Sequence, residues 1–238
     1  MSLKAEARTT HEKPSILVAR SISNLPKSVA GIHPRPELLR RKVIHERKRN
    51  SSVPSSHVDL TQLTIPAAYT QTYANEEFLQ FDSGPGRNRV LLFSTKRNLS
   101  FLRTVDHWYM DGTFKTCPSL FTQLYTIHGA KDGTSLPLVY GLLPDKQEQT
   151  YNRFFDAFQN LGVTAGITFQ PKSIMTDFEM SSVKALKRVF PAAESRGCFF
   201  HLSQCIWRRI QQNRDILEKY NDMTDPDFAL LCTITVEL

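Results

Sequence analysis

Two aspartates follow short apolar runs and could do metal chemistry: Asp111 in YMDGTFK and Asp177 in IMTDFE. Rigid backbone holds a strand-end carboxylate in place, and the adjoining turn opens it to solvent. Hard cations such as Mg²⁺ take such oxygen ligands and usually keep several waters. Two ions about 3.5–4 Å apart can clamp the attacking and leaving oxygens of a phosphodiester displacement. Gly112, directly after Asp111, permits a ligand or backbone to come close. The same residues have plainer readings. An Asp before Gly is often a turn residue. Thr176-Asp177-Phe178-Glu179 fits a capping box, with Thr176 as N-cap and Glu179 reaching back.

Cys198 and His201 form a C-x-x-H pair, with Cys205 one helical turn beyond. Zinc normally takes four ligands, and no second pair stands at matching spacing, so a structural zinc site is not expected. The tripeptide DGT also occurs in phosphatases of the haloacid dehalogenase type, whose nucleophilic Asp lies two residues earlier. Here that position is Tyr109, which excludes the mechanism.

The chain that must position these groups has 238 residues, 40% hydrophobic and 22% charged, a balance that suits one sizeable core with an extension. No apolar run approaches the roughly 18 residues of a membrane span, so no membrane role is expected. Four cysteines without a paired framework favour a reducing compartment. The net charge is +7, yet residues 1–50 hold twelve Lys and Arg against four Asp and Glu, while the remainder holds eighteen against nineteen. Arg40, Arg41, Lys42, Arg47, Lys48 and Arg49 are the densest cluster. Such an arm could touch the phosphates of DNA or direct nuclear import, or simply be solvated.

Residues 1–57 read as a basic, largely disordered N-terminal extension, with one helix from Pro36 whose apolar stripe is Leu39, Val43 and Ile44 and a linker over 51–57. Residues 58–104 read as a lead-in with a hairpin, its strands near 76–82 and 89–95 around GPGRN. Strands then follow at 105–114, 121–128 and 136–143, joined by short links that favour antiparallel pairing. Tyr151, Phe154, Phe155, Phe158 and Leu161 recur at helical spacing. A buried strand at 172–177 precedes a helix with Val183, Leu186, Val189 and Phe190 inward. A strand at 196–200 precedes a third helix carrying Leu202, Ile206, Ile210 and Leu217. The order β-β-β-α-β-α-β-α predicts an α/β mixed sheet with helices packed on it.

Seven segments in order carry a family resemblance: DGTFK (111–115), FTQLYTIHG (121–129), PLVYGLLPDK (137–146), TYNRFFDAF (150–158), IMTDFE (174–179), FPAAE (190–194) and GCFFHLSQ (197–204). From about Ile65 to about Tyr220 the chain resembles the transposase domain of Mutator-like elements, the MULE domain, with residues 105–220 as a partial copy. The resemblance implies a ribonuclease H-like fold and a DDE-type site that uses Mg²⁺ or Mn²⁺ to cut and join DNA during transposition. The family's first two acids map onto Asp111 and Asp177, and its C-x-x-H onto Cys198 and His201. Its third acid, a Glu, lies well downstream, beyond a helical insertion. Glu179, Glu194, Glu218 and Glu237 are not credible substitutes, and residues 221–238 diverge from the family. His11 is the only trace of the zinc finger that family members often carry. The expectation is a nuclear, transposase-derived protein with DNA as partner and an incomplete, weak or silent catalytic set. The alternative is a non-catalytic DNA-binding or regulatory protein that uses the basic arm. A homo-oligomer is compatible with either.

Overall fold

The structure is a computed structural model and describes residues 3–10, 12–24, 34–49 and 59–221. The linker at 51–57, His11 and Glu237 lie outside the described residues. The chain divides into two compact units, Met1–Ser55 and Ser56–Leu238.

The first unit holds three helices: α1 (Leu3–Thr9), α2 (Pro14–Ser23) and α3 (Pro36–Arg49). Only the third was expected; α1 and α2 correct the expectation of disorder for the residues they span. Each helix is too short to show a long periodic signal, but Ala7, Leu17, Val18, Leu39 and Val43 close a small core of their own. Pro14 opens α2, where its missing N–H costs nothing. Leu39 and Val43 of the expected stripe are buried, whereas Ile44 is exposed. Glu46 sits in the same core face, where its Oε1 accepts from Arg8 Nε at 2.9 Å.

The second unit is a mixed α/β layer structure. Seven strands form one sheet in the order β1-β2-β5-β4-β3-β6-β7. They are β1 (Leu79–Asp82), β2 (Leu91–Phe93), β3 (His107–Thr113), β4 (Gln123–Lys131), β5 (Thr134–Leu143), β6 (Ser173–Thr176) and β7 (Glu194–Gly197). The first five pair antiparallel, through the expected hairpins; β6 and β7 join in parallel, β6 beside β3. Helices α4 (Lys96–Leu102), α5 (Glu148–Thr164), α6 (Met180–Val189), α7 (Phe199–Gln212) and α8 (Arg214–Asn221) complete it.

Along β3 exposure alternates: Trp108 and Met110 are buried, His107 and Tyr109 exposed. The buried row meets the aromatic face of α5, where Tyr151, Phe154, Phe155 and Phe158 are at most 1% exposed. Trp108 takes the edges of Phe158, Phe169 and Phe190 at 5.4–5.9 Å between centroids. Each such side chain contributes about 1.5–3 kcal/mol by burial. On the opposite face, Leu91 and Phe121 are covered by Leu60 and Leu63. Arg89 fastens that cover, donating to Asp82 and to the Leu60 and Leu63 carbonyls.

Three further details differ from the sequence reading. Helix α4 was not expected; Thr95 caps it by accepting from the Asn98 N–H at 3.1 Å. The strand expected at 196–200 ends at Gly197, and Phe199 and Phe200 begin α7. The third helix breaks at Asn213, whose Oδ1 accepts from the Asp215 and Ile216 N–H groups and so starts α8 anew.

Candidate active site

Strand β3 carries Asp111 five residues into its length, and β4 runs beside it with Thr126 opposite Asp111. The Thr126 hydroxyl donates to the Asp111 carbonyl at 3.2 Å, and His128 Nε2 lies 3.0 Å from that hydroxyl oxygen. Burial pulls the His128 imidazole below its usual range, and the negative charge of Asp111 opposes this. The neutral ring is thus favoured there.

Asp177 follows β6 directly. The parallel register sets Tyr109 against Met175, so two residues further on Asp111 and Asp177 stand level at one end of adjacent strands. Neighbouring strands lie about 4.7–4.9 Å apart, which brings both carboxylates to one place. Asp177 Oδ1 accepts from the Glu179 N–H at 3.2 Å, and the Thr176 hydroxyl donates to the Asp177 carbonyl at 2.9 Å. The expected capping box is therefore absent. Thr176 remains in the sheet, and α6 starts later, with Glu179 as an N-cap that makes no side-chain cap bond. The Glu179 carboxylate instead meets Lys146 Nζ at 3.0 Å, and that ammonium lies 4.3 Å from the centre of the Phe114 ring.

The C-x-x-H pair arrives from the third side. The Cys198 N–H donates to the Thr176 carbonyl at 2.8 Å, which seats the start of α7 beside Asp177. One turn on, His201 Nε2 lies 3.9 Å from Asp111 Oδ1. His201 Nδ1 is buried without a hydrogen-bond partner. Phe178 packs against Gly197, where a Cβ would come within 2.8 Å of its ring. That contact holds the two turns following β6 and β7 together.

Beneath the acids the polar core is closed. Tyr125 OH and Ser182 Oγ are 2.7 Å apart, and Gln123 Nε2 donates to Tyr151 OH at 2.8 Å. Burial pushes both phenols far above their usual range, reinforced by the charges of Asp177 on both rings and Asp111 on Tyr125. The residue that makes a close approach at Gly112 is Gln123, whose Oε1 would lie 2.5 Å from a Cβ there. The sheet thus brings Asp111, Asp177, Cys198 and His201 together. Sequence reasoning missed Thr126, His128, Gln123 and Lys146, because their relevance depends on strand register. All four lie within segments that carry the family resemblance, FTQLYTIHG (121–129) and PLVYGLLPDK (137–146), but nothing local marks them as neighbours of the acids.

Among the described residues no three His, Cys, Asp or Glu side chains form a metal-holding group. The donors still suit a hard cation: two carboxylates level with one another leave room for the waters and phosphate oxygens that Mg²⁺ retains. The other acids point elsewhere, Glu194 pairing with Arg196 and Glu218 with Arg214. Of the cluster expected to touch DNA, Arg40, Arg41, Lys42 and Arg49 are exposed on α3, Arg47 is half-buried, and the Lys48 side chain lies outside the described residues. No helix among the described residues is long and apolar enough to cross a membrane.

No curated protein and no solved structure matches the chain. Residues 107–205, the segment that carries both aspartates, the aromatic helix and the C-x-x-H pair, match the family model of the MULE transposase domain.

Proposed function

We propose that the second unit is a transposase-derived, ribonuclease H-like core of the DDE type, acting on DNA by metal-assisted phosphodiester chemistry. The observation that carries this reading is the level placement of Asp111 and Asp177 on β3 and β6. The fold reading is supported by three antiparallel strands, β3 to β5, to which β6 and β7 are added in parallel across α5 and α6.

Asp111 and Asp177 would hold Mg²⁺ or Mn²⁺. The chemistry such an ion supplies when bound is polarisation of a phosphoryl oxygen and activation of water. Asp111 is fixed from behind by the Thr126 hydroxyl on its carbonyl, so its carboxylate is free to turn outward. His201 stands on the outer side of Asp111, close enough to orient that carboxylate or to receive a proton from the reacting group. Lys146 neutralises Glu179 and keeps a third negative charge from burdening the pair. No third acid joins Asp111 and Asp177 among the described residues, so the set is incomplete there. Loss of one anchoring carboxylate lowers activity by orders of magnitude, because catalysis depends on placement.

The test is a titration of purified chain with Mn²⁺, followed by electron paramagnetic resonance, alongside nicking of supercoiled plasmid. Mn²⁺ binding is expected in the parent and lost in both Asp111→Asn and Asp177→Asn, with weak nicking that disappears in both. Mn²⁺ binding unchanged in either variant would overturn the assignment. The same reading puts the chain in the nucleus, and a diffuse cytoplasmic signal from a tagged chain counts against that placement.

A further inference from the structure

We propose that the first unit is a small folded DNA-binding module in which α3 grips the phosphate backbone with one flank and is held in place by Arg47 on the other. Six cations in two runs of three look alike in sequence, but the structure divides the five described side chains by role. Successive residues of a helix turn through 100°, so Leu39, Val43 and Glu46 define one buried face. Arg47 borders that face. Its guanidinium donates to the carbonyls of Ala7 at 3.2 Å, Thr10 at 2.8 Å and Glu12 at 2.8 Å. These carbonyls belong to the last turn of α1 and the chain beyond it, where acceptors have no helical partner. A cation at a helix C-terminus also suits the helix dipole. Arg47 is therefore occupied inside the unit and is not available to a ligand.

The far flank is different. Arg41, His45 and Arg49 follow at four-residue spacing, and Lys42 lies beside them; all four are exposed. Arg40 is exposed on the other side of the buried face. Among the described residues none of Arg40, Arg41, Lys42 and Arg49 has an ion pair or hydrogen bond, whereas Arg8 and Arg20 are committed to Glu46 and Glu12. A rise of 1.5 Å per residue sets Arg41, His45 and Arg49 about 6 Å apart, a row of about 12 Å. One strand of a duplex carries a charge about every 3.4 Å of axis, so the row spans three to four phosphates. Charge complementarity selects a polyanion; the choice of DNA rests on the reading of the second unit given above. Contacts of this kind fix position and carry no sequence information.

Binding through the three cations of that flank makes affinity fall steeply with salt. With a slope of about 0.9 per phosphate neutralised, three contacts cost about 40-fold between 50 and 200 mM KCl. The experiment measures fluorescence anisotropy of a fluorescein-labelled 20-base-pair duplex with the full chain across that range. The triple variant R41Q/K42Q/R49Q is expected to keep the parental circular dichroism spectrum and to lose most of this salt dependence. Arg47→Gln is expected to lose helix signal together with binding. Asp111→Asn, which removes Mn²⁺ binding, is expected to leave the salt slope unchanged, so failure of the metal site and failure of this module appear in separate readouts. A parental slope in the triple variant overturns the proposal. So does an Arg47→Gln chain with full helix content and a reduced slope, since Arg47 would then be a contact. Binding to phosphatidylserine vesicles without binding to the duplex overturns it in favour of a membrane surface.

Discussion

Gly112→Ala tests how the sheet holds Asp111. The new Cβ would lie 2.5 Å from Gln123 Oε1, closer than real contacts allow. Gln123 is 1% exposed, and its amide donates to Tyr151 OH at 2.8 Å and to the Asp145 carbonyl at 3.3 Å. Turning that amide aside strips Tyr151, itself buried and held neutral, of its donor. Leaving one or two buried groups unsatisfied costs about 1–3 kcal/mol each, so we expect a loss of about 2–3 kcal/mol. For a unit of this size that lowers the Tm by about 4–12 °C. The assay is a double-mutant cycle in urea with Gln123→Ala, which removes the obstacle. The double variant should be no less stable than Gln123→Ala alone, giving a coupling of about 2 kcal/mol. Mn²⁺ affinity should follow the same pattern, weakened by Gly112→Ala and regained in the double variant. Additive effects within about 0.5 kcal/mol would refute the steric account.

Arg89→Met should destabilise the second unit by about 3 kcal/mol, the low end for breaking a buried pair, because Asp82 is partly exposed to water that can replace its partner. The Arg89 guanidinium holds the Asp82 carboxyl below the usual range. A depressed folded-state pKa contributes stability that is present above the unfolded value of about 3.9 and is lost as pH falls through the folded value. Urea midpoints should therefore fall in the parent below about pH 4, and this part of the acid limb should be missing in Arg89→Met. Gly141→Ala would bring a Cβ within 2.5 Å of Phe154, a side chain with no exposure, and overpacking of that kind costs about 1–3 kcal/mol by thermal unfolding.

The elements easiest to read from sequence were those whose burial pattern is long and one-sided. Tyr151, Phe154, Phe155 and Phe158 announce α5, because a 17-residue helix against a sheet must repeat its apolar face. The hairpins of β3, β4 and β5 show through alternation and short links. Elements of seven to ten residues escaped where they repeat too little: α1, α2 and α4 each bury only one or two side chains. The break at Asn213 escaped for the opposite reason. Apolar spacing runs on through it, and only the side-chain bonds to the next N–H groups mark the restart.

The neighbourhood of the site was legible in part for a related reason. An acid after a short apolar run can be seen in one dimension, so Asp111 and Asp177 stand out, although Asp111 proves to lie inside β3 rather than at its end. What surrounds them comes from pairing across the sheet. Thr126 and His128 face Asp111 only because β4 lies in one register against β3; a slip of one residue would turn both to the other face. Lys146 reaches Glu179 across 33 residues of chain, and no local pattern encodes that contact. Capping signals fail here for a physical reason too. Thr176 is a good N-cap type, but its backbone is already committed to the ladder with Gly197, and the ladder outlasts the cap. The helix must start beyond the sheet, so Asp177 is left in the turn between them, where its carboxylate can face Asp111.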